Sequence, residues 1–155
     1  MNPPLIDSLL FRIKTAFPDM AVEFFPEKPG DYRLNHPKGA LLLAYQGARF
    51  SEPLDTTAVI QSATARFFVT VALRQLNGRN GAVAVLPRLR AALVGFKPPD
   101  CRRKVWLVEE SYLGELAGIW QYHLAFAVEA VVVEVDETED GAGLSRVNFT
   151  EEENP

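Results

Sequence analysis

Two long stretches of alternation constrain this chain more than any other feature. Between Val59 and Arg74 the odd positions Ala63, Ala65, Phe67, Val69, Val71 and Leu73 are all apolar. The even positions carry Ser62, Thr64, Arg66, Thr70 and Arg74, with Phe68 the exception. A period of two over that length is what a β-strand with one buried and one wet face requires. The same holds from Ile119 to Val135, where Trp120, Tyr122, Leu124, Phe126 and Val128 line one face and Gln121, His123, Ala125, Ala127 and Glu129 the other. Both stretches exceed the five or six residues of an ordinary strand. Strands that long either project past the core or are covered by something else, and a neighbouring subunit is the simplest cover.

The remaining elements follow from shorter patterns. Leu5, Ile6, Leu9, Leu10, Ile13, Ala16 and Phe17 draw one apolar stripe behind Pro3-Pro4, which predicts a helix over 3–16. Met20 to Phe25 reads as a short strand, and Ala40 to Tyr45 as a buried one. Residues 26–39 and 46–57, with their Pro and Gly, read as long loops. Ala82, Leu86, Leu89 and Leu93 share a helical face over 82–94, with Gly95 placed as a C-cap; Pro87 either kinks that helix or marks its first turn. Residues 97–104 form a loop, Val105 to Val108 a strand, and Ser111 to Gly118 another loop. The order α-β-β-β-α-β-β predicts an α+β fold, a mainly antiparallel sheet with two helices packed on one face.

At 155 residues the chain suits one domain, set at 1–135. Its charge is divided. Residues 1–135 carry 15 Lys/Arg against 13 Asp/Glu, near +2, whereas 136–155 carry seven acids against Arg146, near −6. A nearly neutral body offers no field for gripping a phosphate backbone, so no specific nucleic-acid partner is expected. The acidic segment, poor in apolar residues, is expected to be a mobile tail dispensable for folding, although Leu144, Val147 and Phe149 would suit an added edge strand. Cys101 is the only cysteine, which suits a reducing compartment. No signal-peptide pattern opens the sequence, and no uncharged apolar run reaches the roughly 18 residues of a membrane span.

The search for chemistry finds little. His36 and His123 are the only histidines and have no partner at ligand spacing, so a turn histidine and a strand histidine are expected, with no metal site. Cys101, followed by Arg102-Arg103-Lys104, is the best nucleophile candidate, since cations depress a thiol pKa; the plainer expectation is an exposed loop cysteine. Glu109 and Glu110 alternate faces if the strand continues. No nucleophile elbow and no phosphate-binding loop is present. Arg88, Arg90 and Arg102-Arg103-Lys104 form the strongest basic feature, read as a solvated face. No catalytic residue, no cofactor-binding residue and no cofactor is predicted.

Several segments arrive together in a telling order: the N-terminal amphipathic helix, Gly39-Ala40-Leu41-Leu42-Leu43-Ala44-Tyr45-Gln46-Gly47 followed by Phe50, Phe67-Phe68-Val69-Thr70-Val71-Ala72-Leu73-Arg74-Gln75-Leu76, Leu93-Val94-Gly95-Phe96-Lys97-Pro98, and Gly118-Ile119-Trp120-Gln121-Tyr122. Over residues 5–133 this resembles the minor tail protein family of Mu-like phages and prophages, which is similar in layout to tail terminators. The resemblance implies a non-enzymatic, tail-terminator-like structural protein, a ring (hexameric in related terminators) that caps the tail tube and joins it to the head connector. Its implied partners are itself, the tail tube protein and the head–tail connector protein, with no membrane involved. Its implied places are the host bacterial cytoplasm during assembly and the virion tail. Two other readings stand beside it. One is a small cytoplasmic enzyme of helix-on-sheet type with an unidentified ligand. The other is an adaptor using Trp120, Tyr122 and the basic loop, although Trp120 and Tyr122 share a face with Leu124 and Phe126 and so read as core, together with Phe67, Val69, Val71, Leu9 and Ile13.

Overall fold

The computed structural model describes residues 3–54 and 57–135; the acidic segment 136–155 lies outside them. Its elements are α1 (Pro3–Ala16), β1 (Ala21–Phe24), a 3-10 turn (Pro29–Asp31), β2 (Gly39–Phe50), β3 (Ile60–Leu73), α2 (Ala82–Leu93), β4 (Trp106–Leu116) and β5 (Ile119–Val133). The strands make one sheet in the order β1-β2-β3-β5-β4. Its pairs are antiparallel except β1 with β2. That parallel pair requires a crossover, and the 25–38 connection supplies it. The fold is thus α+β, as the pattern of elements predicts.

The two long strands set the core. β3 and β5 run side by side from Ile60–Val133 to Leu73–Trp120. Their alternate residues Phe67, Val69, Val71, Leu124, Phe126 and Val128 are wholly buried, and the Phe67 and Phe126 rings stack with centroids 5.7 Å apart. Leu5, Leu9 and Ile13 of α1 and Val85, Leu86, Leu89 and Leu93 of α2 join that same cluster, so both helices lie on one face of the sheet. Gly95 follows the end of α2 with φ +86, the left-handed conformation its type tolerates. Pro87 sits inside α2, not at its start. It is exposed, so the carbonyl its missing N–H leaves open is on the solvent side.

Helices and strands differ in reach, and that difference shapes the molecule. A helix of 14 residues spans about 21 Å, whereas a strand of 14 spans about 46 Å. The helices therefore cover only part of the long strands. At the end where β2 finishes and β3 begins, Tyr45, Phe50 and Val132 remain exposed on the helix side. Among the described residues the opposite face carries no helix; the 25–38 connection shields part of it, tied down by Arg74, which donates to the carbonyls of Leu34 (2.8 Å) and His36 (2.9 Å).

Three sequence expectations need correction. β2 continues through Gln46–Phe50, placed above in a loop, and β4 continues through Ser111–Leu116, also placed in a loop. β4 is an edge strand, β2 becomes one where it runs beyond β1, and both carry bulges. The register shifts between Tyr45 and Gly47, between Leu107 and Glu109, and between Tyr112 and Gly114. Each extra residue breaks the two-residue period on which strand recognition depends. Trp120 is half-buried, not core; it lies at the end of β5 beside Leu73, next to the turn Ala117-Gly118, whose φ values of +53 and +80 close a tight hairpin.

Candidate functional site

The singled-out residues do not converge. Cys101 forms a bridge with Ala130 and belongs to the helix-side core cluster. It is buried, not exposed, and burial pushes its thiol up; neighbouring Asp100 pushes the same way, so the cationic run does not activate it. His123 lies on the other face, its ring 4.6 Å from that of Phe68. The sheet separates it from Cys101. His36 accepts the Lys38 backbone N–H at Nδ1 (3.1 Å) within its turn. Among the described residues no group of three or more His, Cys, Asp or Glu is arranged to hold a metal ion.

The basic residues are largely spoken for. Arg88 reaches both carboxylate oxygens of Asp19 (2.8 and 3.4 Å) and the Ala16 carbonyl (2.7 Å), and lies over the Phe17 ring. Arg90 grips both oxygens of Glu110 (2.7 and 2.9 Å). Arg102 and Arg103 approach Glu129 at 4.0 and 3.5 Å, and Arg103 stacks over Trp106. These contacts tie α2 to the end of α1 and to β4, tie the 102–103 loop to β5, and spread the cations over separate places. Glu109 and Glu110, opposite Ala125 and Leu124, point to opposite faces.

Two features offer surface for binding. The first is a cavity of about 410 Å³ on the helix-free face, between the 25–34 segment and the β4–β5 turn, lined by Phe25, Tyr32, Leu34, Leu42, Ile119 and Gln121 among others. Its walls are mainly apolar. Thr70 is the buried polar side chain there, and burial pushes the Tyr32 phenol up, away from acid–base work at neutral pH. Arg33 on the rim donates to the Gly30 and Tyr32 carbonyls. Such a cavity accepts apolar groups; it pairs no nucleophile with a base.

The second feature is the sheet's rim. β4 is an outer strand with Val108, Tyr112, Leu113 and Leu116 exposed. Tyr112 lies 5.1 Å from Tyr122 and 6.4 Å from Trp120, ring to ring, so an aromatic group reaches the surface beyond α2. Alternation alone reads Trp120 and Tyr122 as core and passes over Tyr112, because the β4 pattern breaks off at Val108. At the far end Phe50, Leu54, Val59, Val132 and Val133 are exposed. The 46–57 segment expected as a loop is thus in part strand, and its apolar residues belong to this rim.

Comparison with known proteins gives one firm result. No curated protein sequence matches the chain. Among solved structures, a chain of the virion of a native gene transfer agent particle aligns with 18% identity and a TM-score of 0.46, covering 80% of this chain and 84% of that one. At that score the match fixes neither fold nor role. The family model described as Gp37 protein matches residues 9–152, from the middle of α1 into the acidic segment. The chain therefore belongs to the Gp37 protein family.

Proposed function

We propose that this protein is a phage or prophage structural protein of the tail-completion kind: a tail-terminator-like subunit that caps the tail tube as a ring and joins it to the head connector. The observation that carries the reading is the rim. Monomeric proteins seldom leave long edge strands and apolar strand ends in water, yet here Tyr45, Phe50, Tyr112, Leu113, Leu116 and Val132 are exposed around one sheet. Neighbouring subunits are the natural cover. The residue-level likeness to minor tail proteins of Mu-like phages supports the same role.

In this reading the chain is not an enzyme and takes no cofactor. Its partners are further copies of itself, the tail tube protein and the head–tail connector protein. It is folded in the host cytoplasm and ends in the virion tail. A cap presents one surface complementary to the tube end and another that templates no further tube, and loops on a rigid sheet are suited to both. Segments 26–39 and 97–104 and the part of 46–57 beyond β2 are the candidates. Gold labelling of the chain in assembled particles tests the role. Label at the junction of head and tail is the expected result; label along the tube, on the head shell or only on free protein contradicts it.

A further inference from the structure

We infer that copies of this chain associate edge to edge, the outer edge of β4 in one subunit meeting the free half of β2 in the next, so that the sheet runs on from subunit to subunit. The inference rests on the self-association in the reading above and names the surfaces that carry it. β1 pairs with β2 only from Ala40 to Leu43, and the Phe25 N–H donates to the Leu43 carbonyl just beyond. From Ala44 to Phe50 the outer edge of β2 has no partner strand among the described residues. At the other side of the sheet, β4 pairs with β5 alone among the described residues.

The two free edges match in direction and charge, and in height once the neighbour is displaced along the strands by about four residues. Tyr45 lies opposite Phe67, Phe67 opposite Phe126, and Phe126 opposite Leu107, so Tyr45 and Leu107 stand at the same level of the sheet. β3 is antiparallel to β2 and β5, and β4 is antiparallel to β5, so β2 and β4 run oppositely. A sideways step from one subunit to the next, without inversion, therefore makes β4 antiparallel to the neighbouring β2. Arg49 of β2 and Arg66 of β3, which lies across from Gly47, stand together beside the β2 edge. Neither takes part in an ion pair among the described residues, and on the other edge Glu109 does not either, whereas its neighbour Glu110 is held by Arg90.

Thr64 lies across from Arg49, Ala127 from Arg66 and Ala125 from Glu109, which puts all three charges on the face opposite the helices. Edge-to-edge contact brings the two cations toward the carboxylate. On the helix side, with β4 set about four residues further along the neighbour's β2, Tyr112 comes level with the exposed Tyr45 and Leu107 with the exposed Phe50, past the end of β1, while Glu109 comes level with Arg49. The bulges at Gln46 and Val108 limit each edge against indiscriminate pairing, which leaves charge and shape to select the partner. Because one patch meets a different patch, the contact is head-to-tail, the kind that closes into a ring.

The test is a charge exchange, read as infectious titre in the producing phage with its own copy deleted and variants supplied in trans. Glu109→Arg places like charges across the contact, and so does the double variant Arg49→Glu with Arg66→Glu. Each alone should lower titre by about 100-fold or more, since like charges opposed across an interface are strongly unfavourable. Supplied together, the two variants alternate around the ring with every contact complementary, and titre should return to within about tenfold of wild type. Misfolded chains would not rescue one another, so recovery also reports folding. If either variant fails to fold alone, Glu109→Gln replaces it, with an expected loss of about tenfold.

Wild-type titre from each charge variant alone, or from Glu109→Gln, overturns the edge contact while leaving the capping role standing. So does a mixture of folded variants no better than its parts. A deletion that leaves titre unchanged removes the capping role and the edge contact with it.

Discussion

Asp19 shows how much one surface residue ties together. It sits between the end of α1 and β1, and its carboxylate takes two hydrogen bonds from Arg88 of α2 while Lys38 approaches at 3.7 Å. The Arg88 hydrogen bond is the main reason that its carboxyl is held below the usual range, with the Arg88 and Lys38 charges adding to it. A carboxylate whose folded pKa is depressed contributes stability that is present above its unfolded value, near 4, and is lost as pH falls through the lower folded one. The side chain is 30% exposed, so the contribution is that of a screened surface pair. Asp19→Asn should therefore lower stability by up to about 1 kcal/mol at neutral pH. The difference from wild type should shrink as pH falls below the unfolded value and vanish once pH is below the lowered folded one, as measured by urea unfolding across pH. A difference that persists in acid would assign the effect to packing instead of charge.

At the scale of elements, position along a strand decides what a residue is worth. Phe126 is fully buried at the middle of β5, stacked on Phe67; Phe126→Ala should cost about 3–5 kcal/mol. Trp120 lies on the same face six residues earlier but half-buried, and its removal should cost less, about 1–2 kcal/mol. Equilibrium unfolding in urea checks both, and equal costs would mean that the helix side is covered to its end. The same contrast explains what was legible in the sequence. β3 and β5 are central, unbulged and wet on one face, so their alternation announced both their faces and most of their bounds. β4 and the second half of β2 are edges, and the bulges at Gln46, Val108 and Leu113 hide the second halves of both strands. The rim lies largely in those hidden halves. The sequence pointed to uncovered long strands, but not to Tyr112, nor to Arg49, Arg66 and Glu109, which form no ion pair among the described residues.

For the whole molecule, the account joins one geometric fact to one role. Helices of 14 and 12 residues pack on strands of up to 15, so the sheet outruns its cover. Within the described residues the overhang and the two free edges carry the exposed aromatic and branched side chains, while the histidines and the cysteine stay apart. A subunit made to be flanked by its own copies has this form. The most direct measurement is electron microscopy of particles from the producing phage with this gene deleted. The account predicts tails of uncontrolled length, or finished tails that fail to join heads, both corrected when the wild-type chain is supplied in trans; normal infectious particles with tails of wild-type length would contradict it.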